Sequence, residues 1–203
     1  MATVMVELSM SLDGFISAPN PSREYILGTG KGELLHDWYF SGTTPSPHNP
    51  FFKAGEGSEK IVEEMFTETG AIVVGRKWYD LVGGWDGNHP IRGAEIFVVM
   101  HHVPEQVPQG ETKLTFVTDG VESAIWQAKA AAGSKMVVIE SRSVGNQCLK
   151  LGLVDEVMVH LVPILLGDGV RRFEPFGTAQ TELEIAEVIP AKGVTHLRYR
   201  VLK

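Results

Sequence analysis

Residues 137–143 read Val-Val-Ile-Glu-Ser-Arg-Ser and predict a buried β-strand that runs directly into an α-helix. Such a turn presents free backbone N–H groups and the positive end of a helix dipole, so it favours an anion such as a phosphate. Glycine allows the closest approach to a phosphate, yet this turn carries Glu140. The sequence therefore predicts that the protein supplies its own anion here. A plainer interpretation is also open, in which Glu140 favours the helix dipole and Ser141 or Ser143 caps the helix.

Strands and helices alternate on both sides of this turn. The alternation predicts an α/β fold with a central, mostly parallel sheet flanked by helices, within one domain over residues 1–203. A Pro-Ala-Lys-Gly turn at 190–193 predicts an antiparallel hairpin at the C-terminal edge of the sheet. The predicted strands cover 4–10, 71–74, 95–100, 114–117, 135–139, 156–161, 181–189 and 194–202. The predicted helices cover 33–40, 58–68 with Ser58 as the cap, 76 onward, 121–132 and 143–151, and residues 11–16 are predicted to form a turn.

The composition limits the class of partner. The net charge of −7 repels nucleic acid and anionic membranes, which leaves small molecules or proteins as partners. The single cysteine, Cys148, excludes an intramolecular disulfide, and its apolar helical context predicts a position in the core. No signal-like pattern opens the sequence, and no apolar run approaches the roughly 20 residues of a membrane span, which predicts a cytoplasmic protein.

Ligands of open α/β sheets bind beyond the carboxyl ends of the strands, so the residues that follow each strand are candidates for a site. Asp13 follows the first strand and is a candidate acid or base, or alternatively a turn residue beside Gly14. Gly75 ends the next predicted strand, and the cations Arg76 and Lys77 after it suit a phosphate, although they oppose the dipole of a helix start.

A pair of histidines and two tryptophans are weaker indicators of a site. His101 and His102 are adjacent at a strand end, but consecutive strand residues point to opposite faces, so we expect no shared metal ion. Trp38 and Trp85 lie in loops and are candidates either for pocket walls or for packing anchors.

Four segments carry a family resemblance: Ser-Leu-Asp-Gly-Phe-Ile at 11–16, Val-Gly-Arg at 74–76, Gly-Leu-Val-Asp-Glu at 152–156 and Val-Pro-Ile-Leu-Leu-Gly-Asp-Gly at 162–169. Together they resemble the dihydrofolate-reductase-like superfamily. The nearest group is the C-terminal reductase domain of the bacterial riboflavin-biosynthesis deaminase/reductase and its free-standing relatives. The resemblance covers nearly the whole chain and implies a single-domain fold of that type.

The resemblance also implies an activity and a site. Members of this group use NADPH to reduce a pyrimidine, a pterin or a related heterocycle, usually as homodimers. It implies that the substrate lies beside Leu12, Asp13 and Phe15. It implies that the cofactor is held by a second set of residues, namely Gly75, Arg76, Lys77, Ser141, Arg142, Leu166 and Gly167.

Three places along the implied cofactor site depart from the family pattern. Trp78 stands where a threonine is usual, Met100 replaces the threonine of a Thr-His-Arg strand end, and Glu140-Ser141 replaces a Gly-Gly pair. A carboxylate about 4 Å from a phosphate charge costs roughly 4 kcal/mol at an effective dielectric of about 20, on the order of a thousandfold in affinity. That cost falls if Glu140 turns away or Arg142 neutralises it. The departures predict a disabled NADPH groove in which Glu140 replaces a cofactor phosphate.

Three functions follow from these observations. The first is an enzyme without cofactor that catalyses a cyclisation, isomerisation or dehydration, with Asp13 and Glu140 as acid or base and with Trp78, Trp85 and His101 shaping the pocket. The second is an NADPH-dependent reductase of a pyrimidine-like or pterin-like heterocycle. The third is a non-catalytic protein that binds a small molecule.

Overall fold

A mostly parallel eight-stranded sheet forms the centre of the protein in our computed structural model, which describes residues 2–173 and 180–203. The strands within these ranges are β1 (Val4–Ser11), β2 (Phe15–Ser17), β3 (Thr69–Gly75), β4 (Glu95–Val99), β5 (Leu114–Val117), β6 (Met136–Ile139), β7 (Glu156–Val162), β8 (Val170–Arg171), β9 (Leu183–Ala191) and β10 (Val194–Val201). The helices are α1 (Glu59–Glu68), α2 (Arg76–Leu81), α3 (Val121–Ala132) and α4 (Arg142–Lys150), and a 3-10 helix covers Gly32–Tyr39.

The spatial order of the sheet is β5-β4-β3-β6-β1-β7-β10-β9. The first six of these strands run parallel, whereas β10 pairs antiparallel with both β7 and β9. Residues 71–74 of the central strand β3 are all apolar and buried, as is usual when both faces of a sheet are covered. The α/β fold with a C-terminal antiparallel hairpin is therefore confirmed.

The two faces of the sheet pack against different layers. On one face, α3 and α4 bury Ala124, Ile125, Val144 and Cys148 against the strands. Burial raises the pKa of the Cys148 thiol to about 12, and its predicted place in the core is confirmed. The 3-10 helix and α1 cover the other face, where a cavity lies.

Two local predictions were wrong. Residues 15 and 16 of the predicted turn belong instead to β2, which pairs antiparallel with β8 in a separate two-stranded sheet. Ser58 precedes α1 without capping it, because its hydroxyl lies 2.9 Å from His196 Nε2 instead. Neither contact is local in the sequence, so neither leaves a signal in the residues that surround it.

No helix in the described part of the chain combines the length and the apolar character needed to cross a bilayer.

Candidate active site

A cavity of about 570 Å³ opens between one face of the sheet and the segments that cover it. Its ionisable lining, together with Ser141 at the start of α4, comes from five separate segments: Glu7, His36, Tyr39, Lys77, His89, Glu140, Ser141 and Arg142. Its apolar lining is rich in aromatic rings, among them Phe40, Phe51, Phe52, Trp78 and Trp85. A mostly apolar chamber with a few polar groups is the usual form of a small-molecule site.

Strand periodicity brings Glu7 into this cavity. Successive side chains of a strand point to opposite faces, so Glu7 and Ser9 share the face of β1 on which the core residue Met5 lies. Glu7 Oε1 lies 2.9 Å from Nε2 of His160, which is fully buried on β7. Trp38 packs beside His160 with its ring centroid 4.4 Å away and donates from Nε1 to Ser9 Oγ at 3.1 Å.

A left-handed turn over residues 83–87 supplies Trp85. All five residues have positive φ angles, with φ of 53° at Trp85 and 48° at Asp86. This conformation costs roughly 1–2 kcal/mol for each residue that carries a side chain, and the three glycines of the turn keep the total low. The turn places the Trp85 ring 4.7 Å from the ring of His89, nearly perpendicular to it.

His89 faces Glu140 inside the cavity. His89 Nδ1 accepts a hydrogen bond from the backbone N–H of Ile91 at 3.1 Å, so its Nε2 carries the hydrogen when the ring is neutral. That Nε2 atom lies 3.9 Å from Glu140 Oε2, and the Glu140 side chain is 25% exposed. The carboxylate thus projects toward His89 and makes no hydrogen bond to the start of α4 among the described contacts.

Two aromatic side chains of the 3-10 helix remain neutral beside these carboxylates. Burial, together with the charges of Glu7 and Glu140, holds the pKa of Tyr39 well above its usual value, so its phenol remains a hydrogen-bond donor. Burial, and to a lesser degree His160, lowers the pKa of His36 to about 4, so this ring is uncharged at neutral pH.

The start of α4 adjoins the end of β3 beside the cavity. Ser141 precedes α4 without a side-chain capping bond, and among the described residues its hydroxyl has one hydrogen-bond contact, with Ser143 Oγ at 3.4 Å. Gly75 lies so close that a Cβ atom there would come within 3.0 Å of Ser141 Oγ and 3.2 Å of Ser143 Oγ. The side-chain capping bond expected from Ser141 or Ser143 is therefore not formed, whereas the placement of Glu140 in the position of a cofactor phosphate stays a prediction.

The predicted cofactor residues separate into two groups. Lys77, Ser141 and Arg142 line the cavity, with Gly75 buried behind them. Arg76 instead donates from Nε to both oxygens of Asp80, at 2.8 and 2.7 Å, within the exposed surface of α2.

A second groove of about 540 Å³ adjoins the first through Arg142 and Val170. It contains Phe15 of the predicted substrate residues and Gly167 of the predicted cofactor residues. The guanidinium of Arg171 lies 4.7 Å from the centre of the Phe15 ring. The segment of Gly167, Asp168 and Gly169 thus borders a groove next to the cavity.

The other predicted site residues are divided between the cavity wall and positions outside it. Leu12 is 61% exposed and His101 is also exposed, and neither residue lines the cavity or the second groove. Met100 is buried in a core cluster with Ile72 and Val74 and does not line the cavity. Trp78 and Trp85 both border the cavity, as predicted for pocket walls, whereas Trp38 is 2% exposed and is a packing anchor.

Asp13 stabilises a turn rather than facing the cavity. Its carboxylate accepts hydrogen bonds from Ser11 Oγ at 2.6 Å, from the N–H of Leu166 at 3.1 Å and from the N–H of Gly167 at 2.7 Å. The Ser11 bond, followed by the two backbone bonds, lowers the pKa of Asp13. A carboxyl group in this state is a poor proton donor, so the geometry favours the turn interpretation over a catalytic one.

We expect Asp13→Asn to lower the free energy of unfolding at neutral pH. The folded-state pKa of Asp13 lies below that of the unfolded chain, so its contribution is present above pH 4, approximately, and is lost as the pH falls through the folded-state value. Urea unfolding at pH 7 and pH 3 measures this difference, which should shrink at the lower pH. Asp119→Asn, at an exposed position before α3, is the matched control. An Asp13 variant as stable as that control at pH 7 contradicts the assignment.

Among the described residues, no group of three or more His, Cys, Asp or Glu side chains is arranged to hold a metal ion.

The sheet order and the cavity define an α/β domain of the dihydrofolate-reductase-like class. Residues 2–197 match the RibD C-terminal domain, and the chain belongs to that family. A search of curated proteins found no significant match.

Several solved structures share the fold. A protein from Shewanella sp. PV-4 assigned to riboflavin biosynthesis has 24% sequence identity and a TM-score of 0.68, with 100% of both chains covered. RibD of Acinetobacter baumannii has 16% identity and a TM-score of 0.61, and this chain spans 59% of it. The riboflavin biosynthesis reductase of Saccharomyces cerevisiae has 12% identity and a TM-score of 0.61, with 99% of this chain and 90% of that chain covered.

Sequence reasoning missed half of the eight lining residues named above, namely Glu7, His36, Tyr39 and His89. Glu7, Tyr39 and His89 come from a strand interior, a 3-10 helix and a loop, and none follows the end of a strand. The one available signal for Glu7 was a charged residue in the interior of a mostly apolar strand, because both faces of a covered sheet are normally apolar.

Proposed function

We propose that this protein is an NADPH-dependent reductase of a small planar heterocycle of the pyrimidine or pterin type. The observation that carries the proposal is the uncapped start of α4 packed against Gly75, with Lys77 and Arg142 lining the same cavity. Membership of the RibD C-terminal domain family and the names of similar structures, which include riboflavin biosynthesis reductases, favour the same class.

The residues at this end of the cavity fit a dinucleotide phosphate. The first N–H groups of α4 have no side-chain acceptor at Ser141, and a side chain at position 75 would fill the space beside them. Lys77 and Arg142 add positive charge where an anion would lie. When bound, NADPH would supply the hydride.

The remaining lining suits a flat ring with polar edges. Trp78, Trp85 and Phe52 offer apolar surfaces for a planar molecule. The neutral phenol of Tyr39 donates hydrogen bonds, and the carboxylates of Glu7 and Glu140 accept them from ring N–H groups.

A cofactor-independent acid–base enzyme is the second candidate, and Glu140 favours it. This carboxylate stands beside the helix start at which a phosphate would bind, and it faces His89 across the cavity. Two carboxylates, a histidine and a phenol around one apolar chamber are sufficient for proton-transfer chemistry such as isomerisation or dehydration.

Calorimetric titration with NADPH tests the first candidate. We expect saturable binding by the wild type and a loss of about 10- to 100-fold in Lys77→Gln, the usual size for a contact to a charged group. Lys150→Gln removes the same charge at the exposed far end of α4 and should bind like the wild type. Absence of saturable binding by the wild type would overturn the proposal. An equal loss of NADPH affinity in both variants would show that Lys77 does not hold the cofactor.

A further inference from the structure

The opening of the cavity is apolar. Three large apolar side chains line the cavity and are also exposed to solvent, namely Ile26, Phe40 and Phe51, and Phe51 is 68% exposed. A side chain that both lines a cavity and meets solvent lies at its opening, so we call these three residues the apolar entrance. Exposed apolar groups next to a cavity are typical of a binding surface.

The rings of the apolar entrance are held in place. Phe40 and Phe51 lie edge to face with their centroids 5.0 Å apart, and both lie 5.6 Å from the buried ring of Phe52. Asn49 fixes the turn before Phe51. Its Oδ1 accepts a hydrogen bond from the backbone N–H of Phe51 at 3.1 Å, and its Nδ2 donates to the carbonyl oxygen of Pro90 at 3.3 Å. Because Pro90 is itself part of the lining, this turn ties Phe51 to the cavity wall.

The segment that carries these rings contributes no charge to the cavity. Among residues 19–57, all of which the structure describes, the lining side chains are apolar except for His36 and Tyr39. Both are uncharged at neutral pH, because burial lowers the pKa of His36 to about 4 and raises that of Tyr39. The Asp, Glu, Lys and Arg residues of the segment are exposed and lie outside the lining. The charged lining groups come instead from β1, α2 and the turn into α4.

This arrangement disfavours a charged substituent at the entrance. A phosphate or carboxylate would lose part of its hydration there without gaining a cation from the covering segment, and the carboxylates of Glu7 and Glu140 would repel it. An aryl group instead gains free energy by leaving water, and the surrounding rings offer it edge and face contacts. A pyrimidine or pterin ring alone fills only part of a cavity of about 570 Å³, so a substituent has room.

We propose that the heterocycle bound by this protein carries an uncharged aryl substituent, which packs against Phe40 and Phe51 at the apolar entrance. Phe51 is then a specificity-determining residue that selects the substituent and takes no part in the reaction. The heterocyclic ring rests on the proposed function, whereas the apolar entrance is a feature of the cavity itself.

Fluorescence titration with a matched series of pteridines tests the selection. The probes are lumazine and its phenyl and carboxy derivatives, both substituted at the same ring carbon. We expect the phenyl derivative to bind about 10- to 100-fold more tightly than lumazine, the usual gain from burying a phenyl group, and the carboxy derivative to bind no more tightly than lumazine. Phe51→Ala should lose most of the phenyl advantage.

Tyr25→Ala is the matched control for this variant. Tyr25 is an exposed aromatic residue of the same segment but does not line the cavity, so its replacement should leave the phenyl advantage as in the wild type. Three results would overturn the proposal: equal affinities of the wild type for lumazine and its phenyl derivative, tighter binding of the carboxy derivative than of the phenyl derivative, or a phenyl advantage that persists in Phe51→Ala.

A heterocycle-free probe separates this inference from the proposed function. N-phenyl-naphthylamine is an uncharged dye that fluoresces in apolar surroundings, and its affinity should fall about 10-fold in Phe51→Ala but not in Tyr25→Ala. The dye decides if the wild type binds no lumazine: that fall would support the apolar entrance while contradicting a pteridine-like substrate, and equal dye affinities of the two variants would overturn the entrance. Binding of NADPH and lumazine without a phenyl advantage would support the reductase and overturn the entrance.

Discussion

Replacing Trp38 by alanine should lower the free energy of unfolding by about 3–5 kcal/mol, the usual cost of removing a fully buried large aromatic side chain. Trp38 is 2% exposed and stacks on Tyr39 with ring centroids 3.7 Å apart. The replacement would also remove the hydrogen bond to Ser9 and expose the rings of His160 and His196 to a new cavity. Urea unfolding followed by circular dichroism measures the change.

Trp126 offers a matched control for this experiment. It lies on α3 and is 74% exposed, so Trp126→Ala should change the stability by no more than about 0.5 kcal/mol. The loss in free energy of unfolding in Trp38→Phe should lie between those of the two alanine variants, because an aromatic ring remains while the Nε1 donor is lost. Equal stabilities of the two alanine variants would contradict the assignment of Trp38 as the anchor of this face.

The sequence was sufficient to predict the elements that are specified by residues close together in the chain. The apolar run of β3 and the alternation of strands with helices predicted the parallel sheet, and the turn before β10 predicted the edge hairpin. The pairing of β2 with β8 was missed because it joins residues more than 150 positions apart. Gly169 makes that approach possible, since a Cβ atom there would lie 2.1 Å from the Ser17 carbonyl oxygen.

The site was only partly predictable for the same reason. The rule that ligands bind at strand ends correctly brought Lys77, Trp78 and Glu140 to the cavity. The rule failed at Asp13, whose three donors come from Ser11 and from a loop far along the chain. It also failed to find Glu7, because only the neighbouring strand reveals that this side chain contacts a histidine.

Glu140→Gln should raise the affinity for NADPH by about 10- to 100-fold. The cavity position of Glu140 keeps its charge near the start of α4, but its proximity to His89 and its 25% exposure reduce the repulsion below the roughly 4 kcal/mol of a direct contact. Calorimetric titration of both proteins measures the gain. The difference in NADPH affinity between the two proteins should become smaller as salt is added, because ions screen a partly exposed charge.

A steric effect and a charge effect can be separated at this position. Glutamine keeps the volume of Glu140, so a gain in NADPH affinity in Glu140→Gln reports the effect of the charge alone. A further gain in affinity in Glu140→Gly reports the steric effect of the side chain. Glu105→Gln, at an exposed loop position, should leave the affinity unchanged. Binding of NADPH by the Glu140 variants but not by the wild type would favour the cofactor-independent enzyme, because the carboxylate would then exclude the dinucleotide by itself. Equal affinities of wild type and Glu140→Gln would mean that the carboxylate at this turn does not oppose a phosphate.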